Sequence, residues 1–237
     1  MTRNKHHPLF YIISLLILVR VAVVPPHLTA LIPVTGETGF ELSSPVTTSY
    51  ALSSFIELVK NGSAGQITGL YVENLFSYPV VQQPGDQPAF VSSNAGMVTQ
   101  FQSASAFGSV GFVAHNTLAG IKFPEIKNGD LISVIYGDGY FTQYQVTQVR
   151  QLQAVQPNNP YSSFIDLSTN QILTYQDVFY QTFGVKNQLI LQTCISSKGL
   201  NSWGRLFVIA TPYTPASFQL ATLGTYVNFR ISPLRAM

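Results

Sequence analysis

Among the side chains able to do covalent or proton chemistry, this 237-residue sequence has one cysteine, Cys194, and four histidines, His6, His7, His27 and His115. His6 and His7 precede an apolar run and His27 lies in a Pro-flanked stretch, so the region that reads as a folded domain carries one thiol and one imidazole. A thiol nucleophile needs a partner that favours the thiolate and can carry a proton, and imidazole does both near neutral pH. If Cys194 is catalytic, His115 is the histidine available to it. Taken singly, each residue has a plainer reading: Cys194 as a small buried hydrophobe, His115 as a hydrogen-bonded structural histidine, Arg205 as a surface ion-pair partner. A lone thiol cannot close an intramolecular disulfide, and in a chain with an export-like N-terminus it calls for an explanation.

The surroundings of the pair supply one. Ile190-Leu-Gln-Thr-Cys194 resembles the sortase signature Thr-Leu-x-Thr-Cys, with Ile190 in place of the first Thr. Arg205 opens the run Arg-Leu-Phe-Val-Ile-Ala and resembles the arginine that follows the cysteine in that family. Ala114-His115-Asn116 ends an upstream apolar run where sortases place their histidine. Between them, the stretch from Asn128 to Ile135 resembles the family's Gly-Asp-x-Ile/Val strand entry, through Gly129 and Asp130. The order His, Gly-Asp, Thr-Cys, Arg over residues 109–210 is more specific than any piece of it. Before Ser109 only Tyr78-Pro-Val-Val81 is similar to the family's strand ending in Pro-Val.

The resemblance implies a closed eight-stranded β-barrel with a few short helices and a two-step acyl transfer. Cys194 would attack the carbonyl between Thr and Gly in a sorting-signal peptide, form a thioester, and pass the acyl group to an amine. His115 would protonate the leaving amine and then deprotonate the incoming one. Guanidinium stays protonated at any working pH, so Arg205 would bind the substrate carbonyl and developing oxyanion rather than act as a base. Thr193 is expected beside the substrate, and Tyr161 and Phe164 lie where the family carries a substrate-shaping loop, although plain packing explains those two equally well. The implied partners are surface proteins bearing a sorting signal and an amine acceptor, a cell-wall precursor or a pilin lysine. No cofactor is expected. Asp138 reads as a turn residue, and with no clustering of acidic residues in the sequence no metal site is expected.

The elements needed to position these residues are short and mostly extended. Strand-like runs cover Gln66–Val72, Tyr78–Val81, Ser109–His115, Leu131–Tyr136, Tyr140–Val149, Gln188–Ile195 and Arg205–Ala210, with Gly137-Asp138-Gly139 a hairpin signal. Met97–Ala106 reads as a helical turn and Gly85-Asp86 as a turn. Leu52, Phe55, Ile56 and Val59 recur at helical spacing, with Ser49 as N-cap and Asn61-Gly62 as the stop. Residues 151–186 form a long excursion with a helix over Thr174–Phe183. The pattern is all-β.

Charged residues are 9% of the chain and the net charge is +2, with no Lys/Arg cluster, so a nucleic-acid partner is not expected. Arg3 and Lys5 precede an apolar window from Leu9 to Val24, 16 residues interrupted by Arg20. As helix it would reach about 24 Å, somewhat short of the ~30 Å hydrocarbon core. A signal-anchor is favoured over a cleaved signal peptide, because Leu28 stands at minus three from Ala30 and leaves no small-x-small site. Either way the rest of the chain is expected outside the cytoplasm: a single-pass membrane protein with its N-terminus cytoplasmic. The organisation is residues 1–24 flank and anchor or signal, 25–48 linker, 49–212 catalytic domain and 213–237 tail.

Leu31-Ile-Pro-Val-Thr-Gly36 is similar to the Leu-Pro-x-Thr-Gly signal that sortases cleave, and reads either as a tethered pseudo-substrate or self-cleavage site or as an extended linker. Two other functions stay open. One is a hydrolytic cysteine endopeptidase using the same dyad. The other is a non-enzymatic anchored barrel that binds a surface partner. An L,D-type transpeptidase is not favoured, since its Ser-x-Gly-Cys signature is absent from the sequence.

Overall fold

The computed structural model describes residues 45–213, with side chains from Ala51 onward. Helix α1 spans Pro45–Val59. The strands are β1 (Ile67–Val72), β2 (Phe76–Gln82), β3 (Val98–Phe101), β4 (Val110–Val113), β5 (Leu131–Tyr136), β6 (Phe141–Ala154), β7 (Phe164–Asp166), β8 (Ile172–Leu173), β9 (Leu189–Ser197) and β10 (Leu200–Pro212). Two further short helices, α2 (Gln102–Ser105) and α3 (Tyr175–Gln181), and a 3-10 turn (Ala119–Glu125) lie between them. The sheet runs β10-β9-β4-β3-β2-β1-β5-β6, and β6 pairs back onto β10, so eight strands close into a barrel. Closure leaves those strands no free edge. β7 and β8 extend the sheet from β6 outside the closed ring. The neighbours are antiparallel except for β2–β3 and β4–β9.

Strand alternation sorts side chains to two faces. The interior takes Leu70, Val98, Phe112, Ile132, Val134, Val146, Leu189, Leu191, Leu206 and Val208, with Phe123 of the 3-10 turn packed among them. A second apolar cluster covers the outer face of β4, β9 and β10, where Val113, Ile190, Phe207 and Ile209 meet Phe164 of β7 and Val178, Phe179 and Phe183 of the α3 region. β9 and β10 are thus covered on both faces, which explains why their sequences are dense apolar runs rather than alternating ones. On the far side of the ring, Phe55 of α1 packs on Tyr71 and Ile135, helped by Leu52, Ile56 and Val59. The end of α1 is tied to the β5–β6 hairpin, where the Gly137 carbonyl accepts from the N–H groups of Asn61 (3.0 Å) and Gly62 (2.7 Å).

The expected closed eight-stranded barrel is therefore present. Several elements differ from their sequence reading. α1 begins at Pro45, four residues before Ser49 and inside the stretch read as linker; Pro suits a first helical turn because its missing N–H is unneeded there. Met97–Ala106 is a strand, β3, followed by the four-residue α2, not one helical turn. β6 continues to Ala154 and β10 to Pro212, because β6 and β10 pair along most of their length. The excursion contains the hairpin β7–β8 as well as the expected helix. Thr174 caps that helix through its side chain, accepting from the Asp177 N–H (3.1 Å) while the Asp177 carboxylate accepts from the Thr174 N–H (3.0 Å). The candidate anchor, the Leu31–Gly36 motif and the tail after Tyr213 lie outside the described residues. Among the described residues, no helix is long and apolar enough to cross a membrane.

The excursion is fastened to the barrel by an ion pair. Arg150 of β6 donates from Nε (2.9 Å) and Nη2 (2.8 Å) to Asp166 of β7, and from Nη2 to Gln181 Oε1 of α3 (3.0 Å). Burial pushes the Asp166 carboxyl up, but the Ser168 hydroxyl and N–H and the Arg150 guanidinium outweigh it and hold it at about 2, against an ordinary 3.8. A folded-state value below the unfolded one stabilises the fold above the unfolded value, and that stabilisation is lost as pH falls through the folded one. The expected result is that Asp166→Asn lowers the unfolding free energy at pH 7 by about 2 kcal/mol. It should also flatten the fall in stability between about pH 4 and pH 2. Denaturant unfolding of both proteins at pH 7, 4 and 2.5 checks both statements.

Candidate active site

Cys194 lies inside β9, directly opposite Arg205 of β10 in the antiparallel register. Residues directly opposite in an antiparallel pair point to the same face with their Cβ atoms about 5 Å apart. That face is the outer one, since their neighbours in register, Gln192 and Phe207, flank the outer cluster and Leu206 opposite Thr193 belongs to the interior. β4 runs parallel to β9 on its other side, with Val113 beside Gln192. The contact continues past the strand end: the Ala114 N–H donates to the Gln192 carbonyl (3.2 Å). Extending that register by two positions sets His115 beside Cys194. Cys194 and Arg205 share one face of the adjacent strands β9 and β10, and His115 stands two residues past the end of β4, the strand that borders β9 on its other side.

Each is held differently. Cys194 is a half-buried free thiol. His115 is also half-buried; burial lowers its pKa from the ordinary 6.5, and a hydrogen bond to the Val91 backbone works in the opposite direction. Burial therefore favours the uncharged imidazole. Arg205 is only 8% exposed, with Nη1 donating to the carbonyls of Ser202 (3.2 Å) and Gly204 (2.9 Å) and its guanidinium carbon 5.8 Å from the centre of the Phe164 ring. Among the described residues, its Nε and Nη2 make no hydrogen bond, leaving N–H donors for an incoming oxygen.

Two glycines make this geometry possible. A Cβ at Gly120 would collide with Thr193 Oγ1 and stand 2.8 Å from the His115 carbonyl, which already accepts from the Gly120 N–H (3.0 Å). A Cβ at Gly204 would stand 2.5 Å from the Leu152 carbonyl, blocking the closing pair of β6 and β10 next to Arg205. Asn116 adds a side-chain tie, donating from Nδ2 to Ser196 Oγ (2.7 Å) and the Asn201 carbonyl (3.0 Å), so the turn after His115 is bound to the β9–β10 hairpin.

The other residues singled out in the sequence fall in different places. Thr193 is fully buried, faces the interior and donates from Oγ1 to the Ala114 carbonyl (2.9 Å). Its side chain is a strut between β9 and the end of β4, not part of the open face. Phe164 is buried against Arg205 and, with Val178, Phe179, Phe183, Gln192 and Arg205, lines a small cavity of about 50 Å³. Tyr161 is 46% exposed and packs edge-on against Tyr175 at 5.3 Å, at the outer rim of the same excursion. Val91, whose backbone contacts His115, carries no sequence signal, since any residue type presents a carbonyl. A larger open concavity of about 600 Å³ lies by the β1–β2 turn, across the ring from β9. Two of its acidic residues are engaged locally: Glu125 pairs with Lys122 (2.8 Å) and Asp130 accepts from the Lys127 N–H (2.8 Å). Among the described residues, no group of three or more His, Cys, Asp or Glu could hold a metal ion.

No family model matches the sequence, and no curated protein matches it. The solved structures similar to this chain include sortase A of Listeria monocytogenes, at 14% identity and a TM-score of 0.39, covering 63% of this chain and 88% of that one. Sortase C1 of Streptococcus suis is 15% identical with a TM-score of 0.39, covering 75% and 90%. Sortase C of Clostridium perfringens SM101 is 13% identical with a TM-score of 0.37, covering 73% and 93%.

Proposed function

We propose that this protein is a sortase-type cysteine transpeptidase, held at the membrane by the Leu9–Val24 segment, that cleaves a Thr–Gly bond in a sorting-signal peptide and joins the acyl fragment to an amine. The observation that carries this reading is the register that sets Cys194 against Arg205; the parallel β4–β9 register, which ends two residues before His115, supports His115 as the partner of Cys194.

The steps follow from the resting protonation and the donors left open. His115, whose uncharged form burial favours, takes the Sγ proton as sulfur bonds to the substrate carbonyl carbon. The carbonyl oxygen becomes an oxyanion and is held by the Nε and Nη2 N–H groups of Arg205, which bond to none of the described residues. As the tetrahedral species collapses, the C–N bond breaks, and the His115 imidazolium gives its proton to the departing amine. The acyl group remains as a thioester on Cys194. An acceptor amine then loses a proton to His115 as it attacks the thioester, and the Cys194 thiolate leaves and is reprotonated. Water in place of the amine would make the same site a hydrolase. The half-buried setting of Cys194 and the apolar wall formed by Phe164 and its neighbours favour an acceptor that is bound and oriented. The buried, barrel-facing hydroxyl of Thr193 fits a positioning role, and Phe164, which lies against the Arg205 guanidinium, and Tyr161, on the same excursion, would shape the peptide site.

Three variants test the roles. With a Leu-Pro-x-Thr-Gly peptide and an excess of a glycyl or lysyl amine, Cys194→Ala is expected to lose all cleavage and keep its fold. His115→Ala should lose at least ~100-fold in kcat/KM through loss of the proton carrier. Arg205→Lys should lose ~100-fold or more, mostly in kcat, because a point charge does not reproduce the planar donor fork. Turnover retained by Cys194→Ala would overturn the assignment, and near-normal rates in Arg205→Lys would remove Arg205 from the oxyanion role. Product containing water rather than the amine, at saturating amine, would identify a hydrolase. Recovery of the exported full-length chain in the soluble fraction would contradict the anchor.

A further inference from the structure

Gln192 stands two residues before Cys194 in β9 and has no part in the proton and acyl steps described above. Strand alternation puts it on the outer face with Cys194, and the antiparallel register sets it opposite Phe207, two residues along β10 from Arg205. Two residues of extended strand separate Gln192 from Cys194 by about 6.6 Å. Gln192 is half-buried and lines the cavity of about 50 Å³ together with Phe164, Val178, Phe207 and Arg205. The hydroxyl of Thr182, another residue of that cavity, is committed to the Val178 carbonyl at 2.7 Å. The Gln192 amide, by contrast, bonds to none of the described residues and is not sealed from solvent.

The pairing of the strand beneath decides how a peptide can meet this face. At Gln192, β9 is bonded on both sides: the Ala114 N–H donates to the Gln192 carbonyl (3.2 Å), and β10 pairs along the other edge. A peptide lying over this stretch finds no strand edge to extend, so its backbone groups must be met by side chains. The Arg205 guanidinium offers donors only, which suits a peptide carbonyl. A peptide N–H needs an acceptor, and the Gln192 side chain supplies one, Oε1, on the same face. The neighbouring walls are aromatic and aliphatic, so they exclude water without replacing its hydrogen bonds. Once a peptide covers Gln192, an unpaired amide costs affinity, and so does an unpaired N–H of the peptide. The acyl fragment stays on the nucleophile while the leaving fragment departs, so a fixed contact here serves the acyl side. An extended peptide covers the distance from Cys194 to Gln192 in two residues. The matching N–H is therefore that of the Thr whose carbonyl reacts or of the residue before it.

We infer that Gln192 is a substrate-binding residue whose side-chain amide accepts a hydrogen bond from a backbone N–H of the acyl fragment, within two residues of the reacting carbonyl. The inference rests on the proposed peptide substrate, and it adds a contact that reads the main chain of that peptide rather than its side chains. Arg205 and Gln192 then divide the work on one face, the first meeting carbonyl oxygen and the second meeting N–H.

Binding is measured with full-length Cys194→Ala protein, so that no bond is made or broken, by the fluorescence anisotropy of a labelled Leu-Pro-Ala-Thr-Gly peptide. Two analogues each replace one N–H by an ester oxygen, at the Ala or at the Thr. One of these esters is expected to bind about tenfold more weakly than the parent peptide. Adding Gln192→Met, which keeps the length of the side chain and removes its amide, should weaken the parent by about tenfold and erase the difference between the parent and that ester. Gln192→Leu should behave in the same way, and it replaces Gln192→Met if the latter does not fold. A merely structural role would weaken parent and ester alike and keep their ratio. Equal binding of the parent and both esters, unaltered parent binding in Gln192→Met, or an ester penalty that persists in that variant would overturn the inference. Turnover is read separately in protein that retains Cys194. An ester penalty erased by Gln192→Met, with no thioester formed by the Cys194 protein, would overturn the proposed function and leave this contact standing.

Discussion

The β9–β10 pairing is the constraint on which the site depends. β10 bonds to β9 on one side and to β6 on the other, so the strand that closes the barrel is also the strand that carries Arg205. Closure fixes the register, and the register places Arg205 opposite Cys194 on the outer face. A slip of one residue would turn Arg205 into the hydrophobic interior and Leu206 outward, so the core and the site are specified together. Gly204 allows this at close range, since the Leu152 carbonyl occupies the space that a side chain there would need. The meeting of Cys194 and Arg205 on one face is in this sense a consequence of barrel closure.

Electrostatics adds a second layer. The described part of the chain places few charges near the site. Burial favours the uncharged form of His115, while the guanidinium of Arg205 is oriented by two backbone carbonyls of its own hairpin. The strong ion pair, Arg150 with Asp166, lies farther along the same wall and holds the excursion against the barrel. That arrangement separates the charge that holds the excursion from the guanidinium that faces Cys194 across the hairpin. It also means that acid weakens the attachment of the wall only well below neutral pH.

The candidate triad is named in the sequence by a single thiol and one histidine in the folded region together with the resemblance of the stretches around His115, Cys194 and Arg205 to the sortase motifs. The barrel was legible for a related reason, since strands as long and apolar as β9 and β10 leave a clear signal. What was not legible depended on facing and on backbone. Thr193 adjoins Cys194 in the chain, but alternation sends it to the interior, where it bonds to the Ala114 carbonyl. The hairpin β7–β8 has strands of three and two residues, too short to show a period. The early start of α1 at Pro45 was missed because Ser49 offered an equally good cap.

The central claim is that Cys194 carries an acyl group derived from a peptide and releases it to an amine. Intact-mass measurement after mixing the protein with a Leu-Pro-x-Thr-Gly peptide tests it most directly. The expected adduct has the mass of the peptide up to its Thr, less one water, is absent in Cys194→Ala, and disappears on addition of a glycyl amine as the ligated peptide forms. Peptide cleavage without an adduct in the wild type, or an adduct that persists in Cys194→Ala, would contradict it.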